Sequence, residues 1–373
     1  MTKKIRAGVI FGGRSGEHEV SLVSATSVMQ ALDPEKYEVI PIGITHEGRW
    51  LSSGRALHLL KEKSGLDREP ERFLVPEPNR QALISANGMA DGAQPIDVVI
   101  PLVHGTYGED GTLQGLLELA NIPYVGAGVL ASALGMDKIA QKEILQQAKF
   151  PLPKYTYFLA SEWLGNEKRL MTKVERSLKY PMFVKPANTG SSVGITKAHN
   201  RVELCSAVEL AMRYDRRILV EQGVKNVREI ECSVLGNDDP IASVPGEVVP
   251  SNEFYDYEAK YVDGKSAAII PARLPKRVAE EVRRLAIRAF RAIDCSGMAR
   301  ADFFVTKRTN RIYLNELNTI PGFTAISMYP KLWEATGVPF RELLDRLISL
   351  AMERHREKNA LKRTYEPPRE WYR

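Results

Sequence analysis

Apolar and polar positions along this chain fall into blocks that switch between the period of strands and the period of helices. Ile5-Arg-Ala-Gly-Val-Ile-Phe11 predicts a buried strand, followed by the polar loop Gly12-Gly-Arg-Ser-Gly16. Val20, Val23, Val28 and Ala31 then predict a helix. Tyr37 to Thr45 predicts a second strand, Ile96-Asp-Val-Val-Ile100 a third, and Gly111 to Ala120 a helix. Such alternation predicts a parallel sheet with ligand groups at strand C-termini. Ser53 to Gln94, polar and rich in Pro, Gly and charge, predicts an elaborated connection.

A second, smaller unit follows. A helix from Asp137 to Lys149 stops at Phe150-Pro-Leu-Pro153, and Tyr180-Pro-Met-Phe-Val-Lys185 and Arg217-Ile-Leu-Val-Glu221 predict strands. From about Lys225 strands return, then a long loop, then a helix with Val278, Val282, Leu285, Ala289 and Ile293 on one face. The last pattern is a hairpin: Asp302-Phe-Phe-Val-Thr and Arg311-Ile-Tyr-Leu-Asn-Glu-Leu-Asn318 flank the polar turn Lys307-Arg-Thr-Asn310. A turn centred near Thr309 sets Asp302 opposite Glu316, and the two-residue period puts Asn318 on the face of Glu316. Three oxygen ligands would then converge as a hard-cation site with room for water and phosphate. A solvated polar face is the competing reading.

Composition narrows the classes. The 373 residues allow two or three domains, with 44% hydrophobic and 26% charged residues, as in soluble globular proteins. Lys and Arg exceed Asp and Glu by 52 to 46, and from Ala351 onward by seven to four, which predicts a solvated tail. No basic stretch is interleaved with aromatics, which argues against nucleic acid. Cys205, Cys232 and Cys295 show no metal or disulfide spacing and suit a reducing compartment. No signal-peptide core or membrane-length apolar run is present, so a cytoplasmic protein without membrane contact is expected.

Several segments carry candidate chemistry. Lys185-Pro-Ala-Asn-Thr-Gly-Ser-Ser-Val-Gly194 can bring backbone N–H groups and an ammonium to phosphates, although its spacing is not that of a P-loop. Glu221 at a strand end can accept from a purine amine or be a surface carboxylate, and Glu229 or Glu231 can face a ribose. Lys138 near a helix start suggests an anionic ligand, because the helix dipole disfavours a cation there. His104-Gly-Thr-Tyr-Gly-Glu-Asp-Gly111 reads as a binding loop in which Glu109 and Asp110 can also cap the next helix. Glu17 and Glu19 near a helix start suit an ammonium rather than a pyrophosphate. Arg300 can stabilise an oxyanion or form an ion pair with a strand neighbour. Gly246 to Pro271, with its run of aromatics, suits a lid.

Together these segments closely resemble the D-alanine–D-alanine ligase family of ATP-grasp enzymes. The matching stretches are Gly12-Gly-Arg-Ser-Gly-Glu-His-Glu-Val-Ser21, His104 to Gly111, Met136-Asp-Lys138, Phe183-Val-Lys-Pro186 and Gly190-Ser-Ser-Val-Gly194. They continue with Tyr255-Asp-Tyr-Glu-Ala-Lys-Tyr261, Arg300-Ala-Asp302 and Asn315-Glu-Leu-Asn-Thr-Ile-Pro-Gly322. The resemblance implies an α/β (α+β) ATP-grasp fold of three domains. These are an N-terminal parallel-sheet domain over 1–135, a central subdomain over 136–224 and a C-terminal metal domain over 225–350. The last would carry a lid at 246–271, and a charged tail over 351–373 would follow.

ATP would lie between the second and third domains, its phosphates on Lys138, Lys185 and Lys260 and its adenine and ribose on Glu221 and Glu229. Asp302, Glu316 and Asn318 would hold two Mg²⁺, with Mn²⁺ as a substitute. Glu17, helped by His104, would orient the ammonium of a first D-alanine, and Ser327 and Met328 would hold the carboxylate of a second. Arg300 and the Gly322 N–H would stabilise the tetrahedral oxyanion. Ser191, Tyr261 and Glu17 would form a positioning network. The resemblance further implies a homodimer and a role in peptidoglycan precursor synthesis.

Three rivals stand against this reading. A D-alanine–D-lactate or D-alanine–D-serine ligase would share the fold, and lactate-type enzymes lack the aromatic run ending at Tyr261. A nonenzymatic nucleotide-binding module would not need Arg300 and two metal carboxylates. A nicotinamide oxidoreductase fails on the GGxxG spacing after the first strand.

Overall fold

The computed structural model describes residues 3–85, 93–190, 192–249, 267–324 and 326–365. Among the described residues the fold is mixed α/β with four separate sheets. The first holds β1 (Ile5–Gly12), β2 (Tyr37–Ile44), β3 (Trp50–Leu51) and β7 (Val98–Pro101) in the order β3-β2-β1-β7. β1 is parallel to both neighbours, and β3 adds an antiparallel edge. Ala7 to Gly12 are buried without a break, as a strand covered on both faces requires. The connection after Ser53 contains α2 (Ala56–Glu62) and a small antiparallel sheet of β4 (Arg72–Leu74), β5 (Ala82–Ser85) and β6 (Gln94–Pro95).

α1 (His18–Ala31) buries Leu22, Ala25 and Val28. Val23, expected on that face, is 52% exposed and lines a cleft instead. α3 (Thr112–Leu119) and α4 (Val129–Met136) lead to α5 (Lys138–Gln147), whose first N–H groups at Ile139 and Ala140 donate to the capping Asp137 carboxylate.

The second sheet is antiparallel, in the order β10-β9-β11-β8, from β8 (Tyr155–Leu159), β9 (Met182–Pro186), β10 (Thr196–Ala198) and β11 (Arg217–Gln222). α6 (Ala160–Ser177) and α7 (Arg201–Ala211) cover it and bury Trp163, Met171, Leu204 and Val208 in a core of its own.

The third large sheet runs β15-β14-β12-β16-β17. Its strands are β12 (Val227–Gly236), β13 (Ile241–Ala242) beside β12, β14 (Gly246–Val249), β15 (Ala267–Ile269), β16 (Gly297–Thr306) and β17 (Ile312–Asn318). α8 (Lys276–Ala292) lays Val282, Leu285, Ala286, Ala289 and Phe290 against it, an i, i+3, i+4, i+7, i+8 stripe. α5, grouped with the central unit by sequence, buries Leu145 in this third core.

α9 (Met328–Ala335) and α10 (Phe340–Ala360) close the fold. The charged composition after Ala351 predicts a tail, yet the helix continues to Ala360. Arg354 explains why. It donates to the Gly126 and Tyr124 carbonyls and to Ser296, and its guanidinium stacks on the Tyr124 ring.

Candidate active site

Three acidic side chains form a row across adjacent strands: Glu231 on β12 pairs with Asp302 on β16, which pairs with Glu316 on β17. Burial along β16 alternates from Ala299 onward, so Arg300, Asp302 and Phe304 share the face away from the core. On β17 the alternation breaks. Phe303 pairs with Leu314 but Asp302 with Glu316, so Asn315 is an extra residue in a β-bulge. The bulge lets Leu314 and Leu317, three apart, both enter the core while Glu316 and Asn318 stay with Asp302. Arg300 holds Asp302 through two 2.8 Å hydrogen bonds and lies 3.0 Å from Glu231. Asn318 Nδ2 donates to Asp302 Oδ2 at 3.0 Å.

Asp302, Glu316 and Asn318 offer two carboxylates and an amide, an all-oxygen donor set that suits a hard divalent cation sharing water and phosphate oxygens. Among the described residues no three His, Cys, Asp or Glu side chains form a metal cluster.

On one side of this row a cavity of about 520 Å³ opens between β9, β11 and β16. Phe183, Lys185, Glu221, Glu229 and Phe304 line it. Glu221 is buried and lies 2.6 Å from both Lys185 and Lys142. Burial alone would raise its carboxyl, but the two ammonium groups hold it down to about 2. Burial opposes the charge on Lys185, yet the nearby carboxylates raise its pKa, whereas burial wins at Lys142 and lowers it. Lys138 begins α5 and donates to the Thr189 carbonyl.

On the other side a cavity of about 500 Å³ is lined by Glu17, His104, Lys138, Gly322, Ser327 and Met328 among others. Glu17 is wedged between two backbone segments. A Cβ at Gly105 would lie 2.6 Å from its Oε2 and one at Gly190 2.1 Å, so a side chain at either position would push the Glu17 carboxylate aside. His104 is buried, with Nδ1 3.2 Å from Glu109 Oε1 and Nε2 3.1 Å from Ser24 Oγ. Burial, against the hydrogen bond from His104 and reinforced by the Glu17 charge, raises the Glu109 carboxyl to about 7. His104 is itself raised, because Glu109 and Glu17 outweigh its burial. Asp110 accepts from the Thr112 N–H at the start of α3, so the capping and binding readings of this loop divide between Asp110 and Glu109. Ser327 precedes α9, whose N-terminal N–H groups favour an anion.

The two cavities share Ser192, Ile195, Glu231, Arg300 and Glu316. They are two chambers meeting at the acidic row. Ser191, Lys260 and Tyr261, with residues 250–266 of the expected lid, lie outside the described residues. Sequence reading missed Gln141 and Lys142. Their signal was their place three and four residues after Lys138, on the same helix face.

Family models place these elements. The D-Ala D-Ala ligase N-terminus model matches residues 6–127 and the D-Ala D-Ala ligase C-terminus model residues 144–349. This chain belongs to the D-alanine–D-alanine ligase family. A family relative from Caldicellulosiruptor bescii is 51% identical over 359 residues, covering 96% of this chain and 98% of its own length. One from Heliobacterium modesticaldum is 52% identical over 351 residues, covering 94% and 95%. The family fold is matched by the solved D-alanine–D-alanine ligase of Coxiella burnetii, with TM-score 0.83, 38% identity and coverage of 96% and 97%. The VanG D-Ala:D-Ser ligase of Enterococcus faecalis matches with TM-score 0.83, 36% identity and coverage of 94% and 100%.

Proposed function

We propose that this chain joins two D-alanines to D-alanyl-D-alanine, using ATP and releasing ADP and phosphate, for peptidoglycan precursor synthesis. The observation that supports this reading is the pair of chambers meeting at Glu231, Arg300 and Glu316, one lined by Lys185, Lys197 and Lys225 beside the acidic row, the other by Glu17, His104, Glu109 and the residues that begin α9. A phosphoryl donor in the first would meet a carboxylate acceptor from the second at that junction.

Lys138, Lys185 and Lys260 bind the phosphates, and Glu221 and Glu229 face the adenine and ribose. Glu17, with His104 behind it, takes the ammonium of the first D-alanine, and Ser191 and Tyr261 complete that contact. One carboxylate oxygen of this D-alanine attacks the γ-phosphorus and ADP leaves, giving D-alanyl phosphate. The carboxylate is a poor electrophile until its oxygen becomes a phosphate leaving group. The neutral amine of the second D-alanine, its carboxylate on Ser327 and Met328, attacks the acyl carbon. Arg300 and the Gly322 N–H hold the oxyanion, phosphate leaves, and the amine loses its proton.

The family uses a divalent metal, and Asp302, Glu316 and Asn318 would hold Mg²⁺, two ions in our reading, or Mn²⁺. When bound it neutralises phosphate charge and polarises the phosphoryl group. Arg300 already binds Asp302 through two hydrogen bonds and orients that carboxylate.

We also read the fold as three ATP-grasp domains over 1–135, 136–224 and 225–350, assembled as a cytoplasmic homodimer. Among the described residues no helix is long and apolar enough to cross a membrane.

The test is phosphate release from Mg·ATP with D-alanine, L-alanine, or D-alanine plus D-lactate or D-serine, with products weighed by mass spectrometry. D-alanine-dependent release with the dipeptide formed supports the proposal. A D-alanyl-D-lactate or D-alanyl-D-serine product would move the second-substrate assignment to those rivals. No release from folded protein that binds ATP would sink it.

A further inference from the structure

β17 carries Glu316 and Asn318, and it is the last strand of its sheet. An edge strand leaves a row of backbone N–H and C=O groups without a strand partner. Here α5 supplies partners from its side chains. Gln141 Oε1 accepts from the Leu317 N–H at 2.9 Å, and Gln141 Nε2 donates to the Leu317 carbonyl at 3.1 Å. The side-chain amide therefore pairs with Leu317 as a neighbouring strand would. Its second N–H donates to the Gly135 carbonyl at 3.1 Å, and Gln141 is only 1% exposed. Lys142 Nζ donates to the Asn315 carbonyl at 3.0 Å, on the bulged residue itself. Leu314 N–H donates to the Pro151 carbonyl just beyond α5.

Leu317 lies between Glu316 and Asn318, and Asn315 precedes Glu316. The groups clamped by α5 are thus the backbone units on either side of the candidate ligands. Gln141 lies one turn after Lys138, on the same helix face. One short helix thereby carries Lys138, a wall of the chamber beyond the acidic row, at its first turn and the strand clamp at its second.

We propose that Gln141 is a positioning residue that fixes Glu316 and Asn318 against Lys138, so that one cation can meet both the strand ligands and a nucleotide phosphate. This rests on the ligase reading above. A bulge is a local break in the ladder and is held less firmly by its own sheet. The clamp removes the remaining freedom at the point where two ligands must keep a fixed spacing. Outer partners of this kind tune metal affinity without touching the metal.

The test substitutes Gln141→Met, which keeps the length and removes both hydrogen bonds to Leu317 together with the one to Gly135. Amide exchange at Leu317 is read first, in protein free of metal and nucleotide. It should quicken by about tenfold, the equivalent of losing two hydrogen bonds. Mn²⁺ binding is read next, by the free-ion electron paramagnetic resonance signal in the presence of a non-hydrolysable ATP analogue. The dissociation constant should rise by about tenfold, while the KM for D-alanine stays within about twofold. If Gln141→Met does not fold, Gln141→Leu is read in its place.

Faster exchange with unchanged Mn²⁺ affinity would reduce Gln141 to a structural residue and overturn the proposal, as would unchanged exchange. In either case wild-type protein still forming the dipeptide would leave the ligase reading standing. Wild-type protein that binds ATP and forms no dipeptide would sink both.

Discussion

Glu221 is a buried carboxylate and Glu109 a partly buried one, on opposite sides of the acidic row, and their surroundings treat them in opposite ways. Glu221 lies between Lys142 and Lys185 and is held at about 2, although burial pushes the other way. Glu109 has His104 as its hydrogen-bond partner and a second carboxylate, Glu17, nearby, and burial prevails to raise it to about 7. Around Glu221 two amines meet one carboxylate, and around Glu109 two carboxylates meet one imidazole. The second cluster therefore has room for the positive charge of an ammonium, whereas the first is set beside the further carboxylates of the acidic row. The contrast also shows that burial alone does not decide protonation, since the count of opposite charges within reach reverses its effect.

The strongest way to break this comparison is Glu221→Gln, which leaves two buried amines facing a neutral amide. Stability in a urea titration at pH 7 should fall by about 3–5 kcal/mol. A loss below about 1 kcal/mol would show that the amines are not held as a charged pair by Glu221.

The pH dependence sharpens it next. The Glu221 pKa is depressed in the folded state, so its stabilisation is present above the ordinary value of 4.5 and is lost as pH falls from there towards 2. Wild-type protein should lose on the order of 3 kcal/mol across that window, and the Glu221→Gln variant should show a shallower acid limb.

Glu109 and His104 act with the opposite sign. Both are raised, so the folded state binds more protons; the stabilisation from Glu109 is present below its ordinary 4.5 and lost as pH rises through about 7, and that from His104 has the same sign. Glu109→Gln should flatten the decline of the thermal midpoint between pH 5 and 8, an effect of about 1–2 kcal/mol. An unchanged slope would remove Glu109 from the titrating cluster.

The smallest expected effect is a proton count. An ammonium placed beside Glu17 lowers the Glu109 pKa, so D-alanine binding at pH 7 should release about half a proton per site. Calorimetry in buffers of different ionisation enthalpy measures this, and proton uptake would contradict the placement of the ammonium.

Much of the fold was legible because its elements bury regular faces. The strand at Ile5, the helix stripe from Val282 to Phe290 and the hairpin after Asp302 all follow from period alone. The pairing of Asp302 with Glu316 was also expected, but for an incomplete reason. The hairpin turns between Arg308 and Thr309, as the pairing of Val305 with Ile312 shows, and without the bulge Asp302 would face Asn315. The visible hint was Leu314 and Leu317, two apolar residues three apart in a strand. Gln141 and Lys142 were legible as a helix face but not as a clamp, because their partners are backbone groups more than 170 residues away. Arg354 was hidden for the same reason, since its acceptors are mostly carbonyls and its local sequence looks like solvated charge.

The separate cores have a mechanical consequence. The largest core mixes residues of β1 and β7 with Met298, Phe323, Trp333 and Leu344, so the first and last parts of the chain share one interior, and Arg354 rivets them together. The β8–β11 sheet keeps its own interior and meets α5 through the small patch of Ile139, Ala187 and Leu219. That boundary is tied less by apolar surface than by charge, Lys142 to Glu221 and Arg217 to Asp137. The unit bearing Lys185 and Glu221 is therefore joined to α5 by an electrostatic seam, and the chamber on the phosphate side takes one of its walls from it.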